Sequence, residues 1–456
     1  MAGRSDQSNL SRVRGTLGFH EKAWELQNRN DMEKNGQVDL NQFVGNGEWE
    51  HLYDEVQILE ETKMSDEERL RAAVPALLSW FSGHARILPW REQPTPYRVW
   101  LSEIMLQQTR VEAVKPYFER FIAALPDIAA LAEAEEDQLL KLWEGLGYYS
   151  RVRNLNRSAK QVMEEHGGEL PADHQKLLKL PGIGSYTAGA IASIAFGQKV
   201  PAVDGNVLRV ISRVLKSRED ISELSTKKAM EILLERVMPA DAPGNFNQAL
   251  MEVGATVCIP RGEPLCEECP FYTLCLSRRD GLTGEIPVKK AAKARRVEER
   301  TVFLITDGRR VAVRKRPEKG LLAGLYEFPN DLGWLNEQGG AEQLGQWLSE
   351  QEKLFGKLRG INSIPVTGDE HAACKIRCAG DATHIFSHVE WRMKGYIIQF
   401  PEAGLDELKD NWKQISGIAE TVFLADAEEL KTRYAIPNAF RAYTEKIAEL
   451  LNKDRN

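Results

Sequence analysis

The sequence predicts a multidomain chain, an all-α domain followed by an α+β domain, and three observations carry that prediction. Residues from about Tyr97 to Leu276 read as successive helices separated by Pro, Gly and Asn signals, with little alternation of apolar and polar residues. A basic, Ala-rich stretch, PVKKAAKARR at residues 287–296, then breaks the pattern with the composition of a solvated connector. After it come short runs of β character, TVFLIT, VAVRKR and WRMKGYIIQF, mixed with the helical patterns QLGQWLSEQEKLF and RAYTEKIAELL. A chain of 456 residues suits two or three such units.

The expected boundaries are an N-terminal extension at 1–66, the helical domain at 67–286, a linker at 287–297 and the second domain at 298–456. Residues 1–66 are polar, contain the loop-like segment NGQVDLNQFVGNGE and are expected to be mobile. They carry 7 basic and 13 acidic side chains, nearly all of the net charge of -7, so the rest of the chain is close to neutral. Whole-chain charge therefore neither favours nor opposes a nucleic-acid partner, for which local placement of Lys and Arg matters. No window approaches the roughly 18 uninterrupted apolar residues of a membrane span, so no membrane partner is expected. The opening residues lack the apolar core of a secretory signal, which predicts an intracellular protein, cytoplasmic and nucleoid-associated in a prokaryote. Ser65 followed by Asp66, Glu67 and Glu68 has the chemistry of a helix start. Met64 directly precedes it, and native translation is expected to begin there, which mass spectrometry of the native protein checks.

The first motif with chemistry is LPGIGSYTAGAI at residues 180–191, after the helical stretch HQKLLK. Two helices joined by a Gly-rich hairpin bring the N–H groups of the second helix against a phosphate, because glycine permits close approach and a helix N-terminus is electropositive. Gly182 and Gly184 are thus candidate DNA-backbone contacts that grip without reading sequence. A bare GxG also occurs in ordinary tight turns; the flanking Leu-Pro and Thr-Ala favour the hairpin.

Two carboxylates follow from their surroundings. Asp204 in VPAVDGNVLRVISR sits where an apolar run becomes helical and suits an N-cap. Backbone N–H bonds are expected to hold its pKa low, leaving the fixed anion that a developing sugar oxocarbenium needs. Glu103 in YRVWLSEIMLQQTRV is flanked by Leu101, Ile104, Met105 and Leu106, so burial is expected to raise its pKa and keep it protonated near neutrality, as a general acid requires. Alone, each has a plainer explanation, a helix cap and a solvent-facing Glu. Together they repeat the division of labour in glycoside hydrolysis.

Cys258, Cys266, Cys269 and Cys275 fall within 18 residues, with seven, two and five residues between them. In a chain without a secretory signal such crowding argues for a metal or cluster and against disulfides. Zinc and [4Fe-4S] both accept four thiolates, and the spacing does not choose between them. Cys374 and Cys378 have no matching second pair and are assigned no metal.

Taken together these residues resemble the helix-hairpin-helix DNA glycosylases, and within them the MutY-type adenine DNA glycosylases. The resemblance runs from about residue 70 into the C-terminal region. It rests on LPWRE (88–92), WLSEIMLQQTRV (100–111), GLGYYSRVRNL (145–155), the hairpin motif, VDGNV (203–207) and the four cysteines, in that order. It implies a two-lobed helix-hairpin-helix glycosylase domain, one lobe a six-helix segment and the other holding a [4Fe-4S] cluster on the four cysteines, with an adenine pocket between them. A Nudix-like domain follows. Carried over by position, Glu103 protonates the flipped adenine, Asp204 stabilises or captures the sugar cation, and Asn206 supports the site. Gln108 and Tyr148 are implied to enter the base stack near 8-oxoguanine, and an aromatic residue in a Gly-rich turn suits that task. Tyr186 stands where endonuclease III-type relatives carry a lysine nucleophile; a phenol forms no Schiff base, so a monofunctional glycosylase is expected.

The C-terminal domain resembles the 8-oxoguanine recognition domain of the same proteins in GLYEFP (324–329) and HIFSHVEWRMKGY (384–396). This implies that Phe386, Ser387 and His388 lie on the loop that detects 8-oxoguanine, Ser and His offering hydrogen bonds to a base edge. No REUxEExGU stretch follows GLLAGLYEFP, so nucleotide hydrolysis is not expected. The implied substrate is double-stranded DNA holding an 8-oxoguanine:adenine or guanine:adenine mispair, and the protein is expected to act as a monomer. Two departures stand out: the first cysteine gap has seven residues where six is usual, so its loop must bulge, and residues 1–66 have no counterpart. Competing readings are excision of another base on the same scaffold, a non-catalytic lesion binder and a Nudix nucleotide hydrolase. The recognition domain and missing lysine oppose the first, the carboxylate pair the second, and the missing metal-binding box the third.

Overall fold

The computed structural model describes residues 64–290, 294–334, 375–400 and 422–453. The extension up to residue 63, the pattern QLGQWLSEQEKLF and Cys374 lie outside the described residues. Helix α1 (Asp66–His84) starts where the sequence predicts. The Ser65 hydroxyl accepts the Glu68 N–H while the Glu68 carboxylate accepts the Ser65 N–H, a reciprocal cap worth about 1 kcal/mol.

The next eight helices form the first lobe. They are α2 (Pro89–Glu92), α3 (Pro96–Leu106), α4 (Val111–Ala124), α5 (Ile128–Glu133), α6 (Glu136–Leu142), α7 (Ser150–His166), α8 (His174–Leu177) and α9 (Ser185–Ile194). Proline starts both α2 and α3, where its missing N–H is not needed and its fixed φ suits a helix. One apolar core, built on Trp100, Leu101, Phe118, Phe121 and Trp143, runs through these helices. Truncating a fully buried member such as Leu101 to Ala costs about 2–5 kcal/mol.

The second lobe joins α1 to α10 (Gly205–Val214), α11 (Leu224–Val237), α12 (Pro243–Thr256) and α13 (Leu276–Arg279). Helix α10 is buried on nearly every side, from Val207 to Val214, which marks it as the centre of this lobe. Helices α12 and α10 pack so closely that a Cβ on Gly254 would stand 2.5 Å from Asn206 Cβ, so only glycine fits there. Since α1 belongs to the second lobe and α2 to the first, the chain crosses between lobes at residues 85–88 and again between α9 and α10. Both crossings line a cleft, as sites at lobe boundaries commonly do.

The C-terminal part is a mixed sheet of β1 (Arg296–Thr306), β2 (Val311–Lys315), β3 (Tyr326–Glu327), β4 (Asn330–Leu332), β5 (Lys375–Ile385), β6 (Val389–Gln399) and β7 (Val422–Ala425). Its order among the described residues is β3-β2-β1-β6-β5, with β4 against β1 and β7 against β2. Strands β1 and β6 pair in parallel from Arg296↔Val389 to Thr306↔Gln399, and β5 and β6 form an antiparallel hairpin. Helices α14 (Ala427–Thr432) and α15 (Arg441–Lys453) cover it, α15 burying Tyr443, Ile447 and Leu451 at four-residue intervals.

Within the connector Lys289, Lys290, Ala294, Arg295, Arg296 and Val297 are exposed, in keeping with its expected solvated character, while its two ends are anchored. Val288 accepts the Ile221 N–H, Lys290 pairs with Glu223, and Arg296 already belongs to β1, because each end finds backbone or ionic partners. From Ser65 onward the helical and mixed parts form one compact unit. Leu325 and Ala435 enter the core of the first lobe. Lys141 donates to the carbonyls of Leu430 and Tyr434 (2.9 and 3.0 Å), and the Ile436 N–H donates to Glu144 (2.6 Å). Among the described residues no helix is long and apolar enough to cross a membrane.

Candidate active site

The cleft between the lobes has a volume of about 1160 Å³, and Glu103, Tyr186, Asp204 and Asn206 all line it. Glu103 is buried on α3 (6 % exposed), in a helix whose residues from Val99 to Met105 are all buried. The Tyr186 hydroxyl, on α9, donates to Glu103 Oε2 at 2.5 Å. Burial pushes the Glu103 carboxyl up to about 7; the Tyr186 bond opposes this, the Asp204 charge adds to it, and Arg91 opposes it. A carboxyl raised that far keeps a protonated population near neutral pH, as a general acid requires.

Asp204 caps α10, its Oδ1 accepting the Val207 N–H at 2.8 Å, as the sequence predicts. Its expected low pKa is overturned. Burial raises it, and the bonds from Val207 and Asn206 and the charge of Arg209 reduce that shift without cancelling it. The cap was legible in the sequence, whereas the depth of the cleft was not. Asn206 bridges: its Nδ2 donates to Asp204 Oδ2 (2.8 Å) and its Oδ1 accepts from Arg209 Nη2 (2.9 Å). Arg209 in turn donates to the carbonyls of Cys258 and Gly254, tying the Asp204 end of α10 to the cysteine loop.

The hairpin glycines differ. Gly182 has a left-handed backbone (φ 79°), and a Cβ there would meet Asn154 at 2.7 Å. Gly184 caps α9 from the extended region, faces the cleft, and would place a Cβ in open space. The chain itself explains the first glycine and leaves the second available for close approach by something outside it.

Gln108 (φ 57°) also lines the cleft, whereas Tyr148 (φ 48°) does not and is exposed next to the buried Tyr149. Phe386, Ser387 and His388 lie at the β5–β6 turn and do not line the cleft. Phe386 packs edge-on against Trp391 and His384, leaving Ser387 and His388 exposed.

Cys258, Cys266, Cys269 and Cys275 line one small pocket in the second lobe and form no disulfide. Gly262 (φ 82°) turns the long first loop, and the Leu265 N–H closes it on the Val257 carbonyl (3.0 Å), which accommodates seven residues. Burial pushes Cys269 up to about 12 and Cys275 to about 11, with the neighbouring thiols adding to it. Four thiolates there need a cationic centre between them. Arg213, which donates to Cys258 Sγ at 3.2 Å, and Arg278 share the pocket and suit an anionic cluster. Among the described residues no three His, Cys, Asp or Glu side chains gather as a single-ion site.

Sequence reasoning missed Glu252, buried on α12 and gripped by Arg86 (2.5 Å) and Arg91 (2.8 Å) at the cleft wall. Burial works against its ionisation, but the two guanidinium groups outweigh it and hold the carboxyl below its usual range. The signal was present: like Glu103, Glu252 is an acid flanked by apolar residues, Leu250, Met251 and Val253.

Residues 101–239 match the family model of the HhH-GPD superfamily base excision DNA repair proteins, and residues 301–446 match that of the NUDIX domain. An adenine DNA glycosylase of Mus musculus is 35% identical over 379 residues, which span 72% of this chain and 70% of that protein. That of Schizosaccharomyces pombe is 34% identical over 380 residues, 69% of this chain and 78% of the other. That of Homo sapiens is 35% identical over 375 residues, 70% and 66% respectively.

Proposed function

Because the chain belongs to the adenine DNA glycosylase family, we propose that it hydrolyses the N-glycosidic bond of adenine mispaired with 8-oxoguanine, or with guanine, in duplex DNA and leaves an abasic site. Family membership makes it a DNA glycosylase of base excision repair. The observation that carries the finer reading is the convergence of Glu103 and Asp204 on one cleft, with Glu103 poised near neutrality.

Adenine reaches that cleft only by leaving the stack, which costs a few kcal/mol and least at a mispair. Glu103 delivers its proton to the leaving base as the bond to the sugar lengthens, and the base departs neutral. Asp204 faces the positive charge that grows on deoxyribose. A carboxylate that burial makes costly to ionise alone gains most when a cation forms beside it, so its stabilisation favours the transition state over the ground state. Water then adds to the sugar carbon and its proton passes to the Glu103 carboxylate, which restores the acid for the next turnover. Tyr186 and Asn206 hold the two carboxyl groups in orientation through the bonds described above. With Tyr186 in the hairpin that position supplies no amine to attack the sugar, so little intrinsic strand cleavage is expected, and a robust borohydride-trapped adduct would contradict this.

Gln108 and Tyr148 fill the disrupted stack, Gly182 and Gly184 meet the phosphate backbone, and Phe386, Ser387 and His388 receive the 8-oxoguanine. Cys258, Cys266, Cys269 and Cys275 hold a [4Fe-4S] cluster. When bound it would supply four iron–thiolate bonds that tie Cys258, just past α12, to Cys266, Cys269 and Cys275 before α13, and redox-neutral hydrolysis would draw no electrons from it.

A single-turnover assay on duplexes holding adenine opposite 8-oxoguanine, guanine or thymine, developed with and without alkali, tests the reading. An abasic product seen only after alkali, fastest opposite 8-oxoguanine, supports it. Removal of another base, or equal rates opposite all three partners, overturns it.

A further inference from the structure

Gln108 and Tyr148 sit on different elements, the first two residues past the end of α3 and the second two residues before α7, yet both have left-handed backbone. For a non-glycine residue that conformation costs about 1 kcal/mol or more, and it persists where the surroundings hold it. One side chain holds both turns. Arg151, in the first turn of α7, is 7 % exposed. Its Nη1 donates to the carbonyls of Ile104 (2.8 Å), Met105 (2.9 Å) and Gln107 (2.7 Å). Its Nη2 donates to the carbonyls of Leu146 (3.1 Å) and Gly147 (3.0 Å), with Thr109 Oγ1 at 3.4 Å.

Gln107 and Gly147 are the residues immediately before the two strained positions, so the bonds fix the peptide units from which Gln108 and Tyr148 project. The guanidinium also lies 5.6 Å from the Tyr148 ring centre and 5.3 Å from that of Trp143. Burial pushes Arg151 down to about 10, which leaves it charged at neutral pH. A planar fork can span two turns at once, whereas an ammonium is a single point of donation. The partners are carbonyl oxygens and a hydroxyl, and the first three cluster at the C-terminal end of α3, where helix carbonyls lack intrahelical donors.

We propose that Arg151 is a positioning residue for adenine extrusion, stapling the Gln108 turn to the Tyr148 turn so that both side chains enter the base stack as one preformed wedge. The inference rests on the reading of Gln108 and Tyr148 as stack-filling residues.

Arg151→Lys keeps the charge and removes the fork. Single-turnover rates, counted per DNA-titrated active site so that only folded enzyme contributes, are compared on two substrates: a duplex with adenine paired opposite 8-oxoguanine, and the same pair inside a small unpaired bubble. The variant is expected to slow cleavage of the paired substrate about 10-fold, within the range of coupled contacts, and of the bubble by about 2-fold or less. Its pH profile should match that of the unchanged protein. Tyr148→Ala should slow the paired substrate similarly, and the double variant should be little slower than Tyr148→Ala alone. Equal loss on both substrates, or multiplying losses in the double variant, overturns the staple.

If Tyr148→Ala and Gln108→Ala both leave the paired rate unchanged, it is the stack-filling reading that fails. Hydrogen exchange on the unchanged protein separates the two and does not depend on any variant folding. Amides at residues 107–109 and 147–149 should open together at one rate; independent opening sinks the staple whatever the kinetics.

Discussion

The cleft between the helical lobes and the turn between β5 and β6 treat their polar groups in opposite ways. In the cleft Glu103, Tyr186, Asp204 and Asn206 are bonded to one another or to helix N–H groups, and burial sets their protonation before anything binds. At the turn Ser387 and His388 stand exposed, and only Phe386 is tied into the sheet core. Proton transfer needs a fixed geometry and a tuned pKa, which only a shielded site supplies. Reading a base edge needs donors that desolvate when the partner arrives, and an exposed turn on a rigid hairpin serves that. Substitutions in the cleft should therefore act on rate, and substitutions at the turn on discrimination.

The largest effect is expected from Glu103→Gln, which removes the proton and keeps the shape. Cleavage should fall by about 10²–10⁴-fold while binding of mispaired DNA persists; retained cleavage would move the acid elsewhere. The same variant sharpens the comparison through stability. Glu103 is raised from 4.5 to about 7, so the folded state binds more protons than the unfolded one between those values, and stability is lost as pH rises through that window. A neutral Gln escapes this loss, which is about 3 kcal/mol once both states are ionised. Glu103→Gln should accordingly unfold at higher denaturant concentration than the unchanged protein at pH 8, and with little difference at pH 4.5.

Next comes Asp204→Asn, expected to lower the single-turnover rate by about 10²–10³-fold with little change in affinity. Tyr186→Phe should act through pH. The hydroxyl bond opposes the rise in the Glu103 pKa, so its loss lifts that pKa further, and the decline in rate that follows deprotonation of Glu103 should move to higher pH. An unmoved profile would mean that another group sets it. The smallest change in rate is expected at the turn: Ser387→Ala with His388→Ala should reduce the preference for 8-oxoguanine over guanine about 10-fold or less. Loss of rate on both substrates alike would erase the contrast between the two regions.

Much of this was open to local reading. Ser65 and Asp204 cap their helices because short oxygen-bearing side chains before an apolar periodic run have few better partners than the free N–H groups ahead of them. Glu103 among Leu101, Ile104 and Met105 announces a buried acid, and Glu252 did so equally, unread. The connector was legible as a solvated segment from its charge and alanine content, and Lys289, Lys290 and residues 294–297 are exposed, but composition did not show that Asp220, Ile221 and Glu223 would anchor Val288 and Lys290.

By itself, then, the sequence determined where helices give way to strands, which four cysteines share a loop, which acid is set among apolar residues and which caps a helix, since periodicity, capping and spacing act over a few residues. Tertiary structure alone decided that Tyr186 meets Glu103 from 83 residues away, that Asp204 is raised rather than lowered, and that Arg151 reaches carbonyls 44 to 47 residues back along the chain. Desolvation and long-range hydrogen bonds depend on which distant surfaces exclude water together, and no local pattern encodes that.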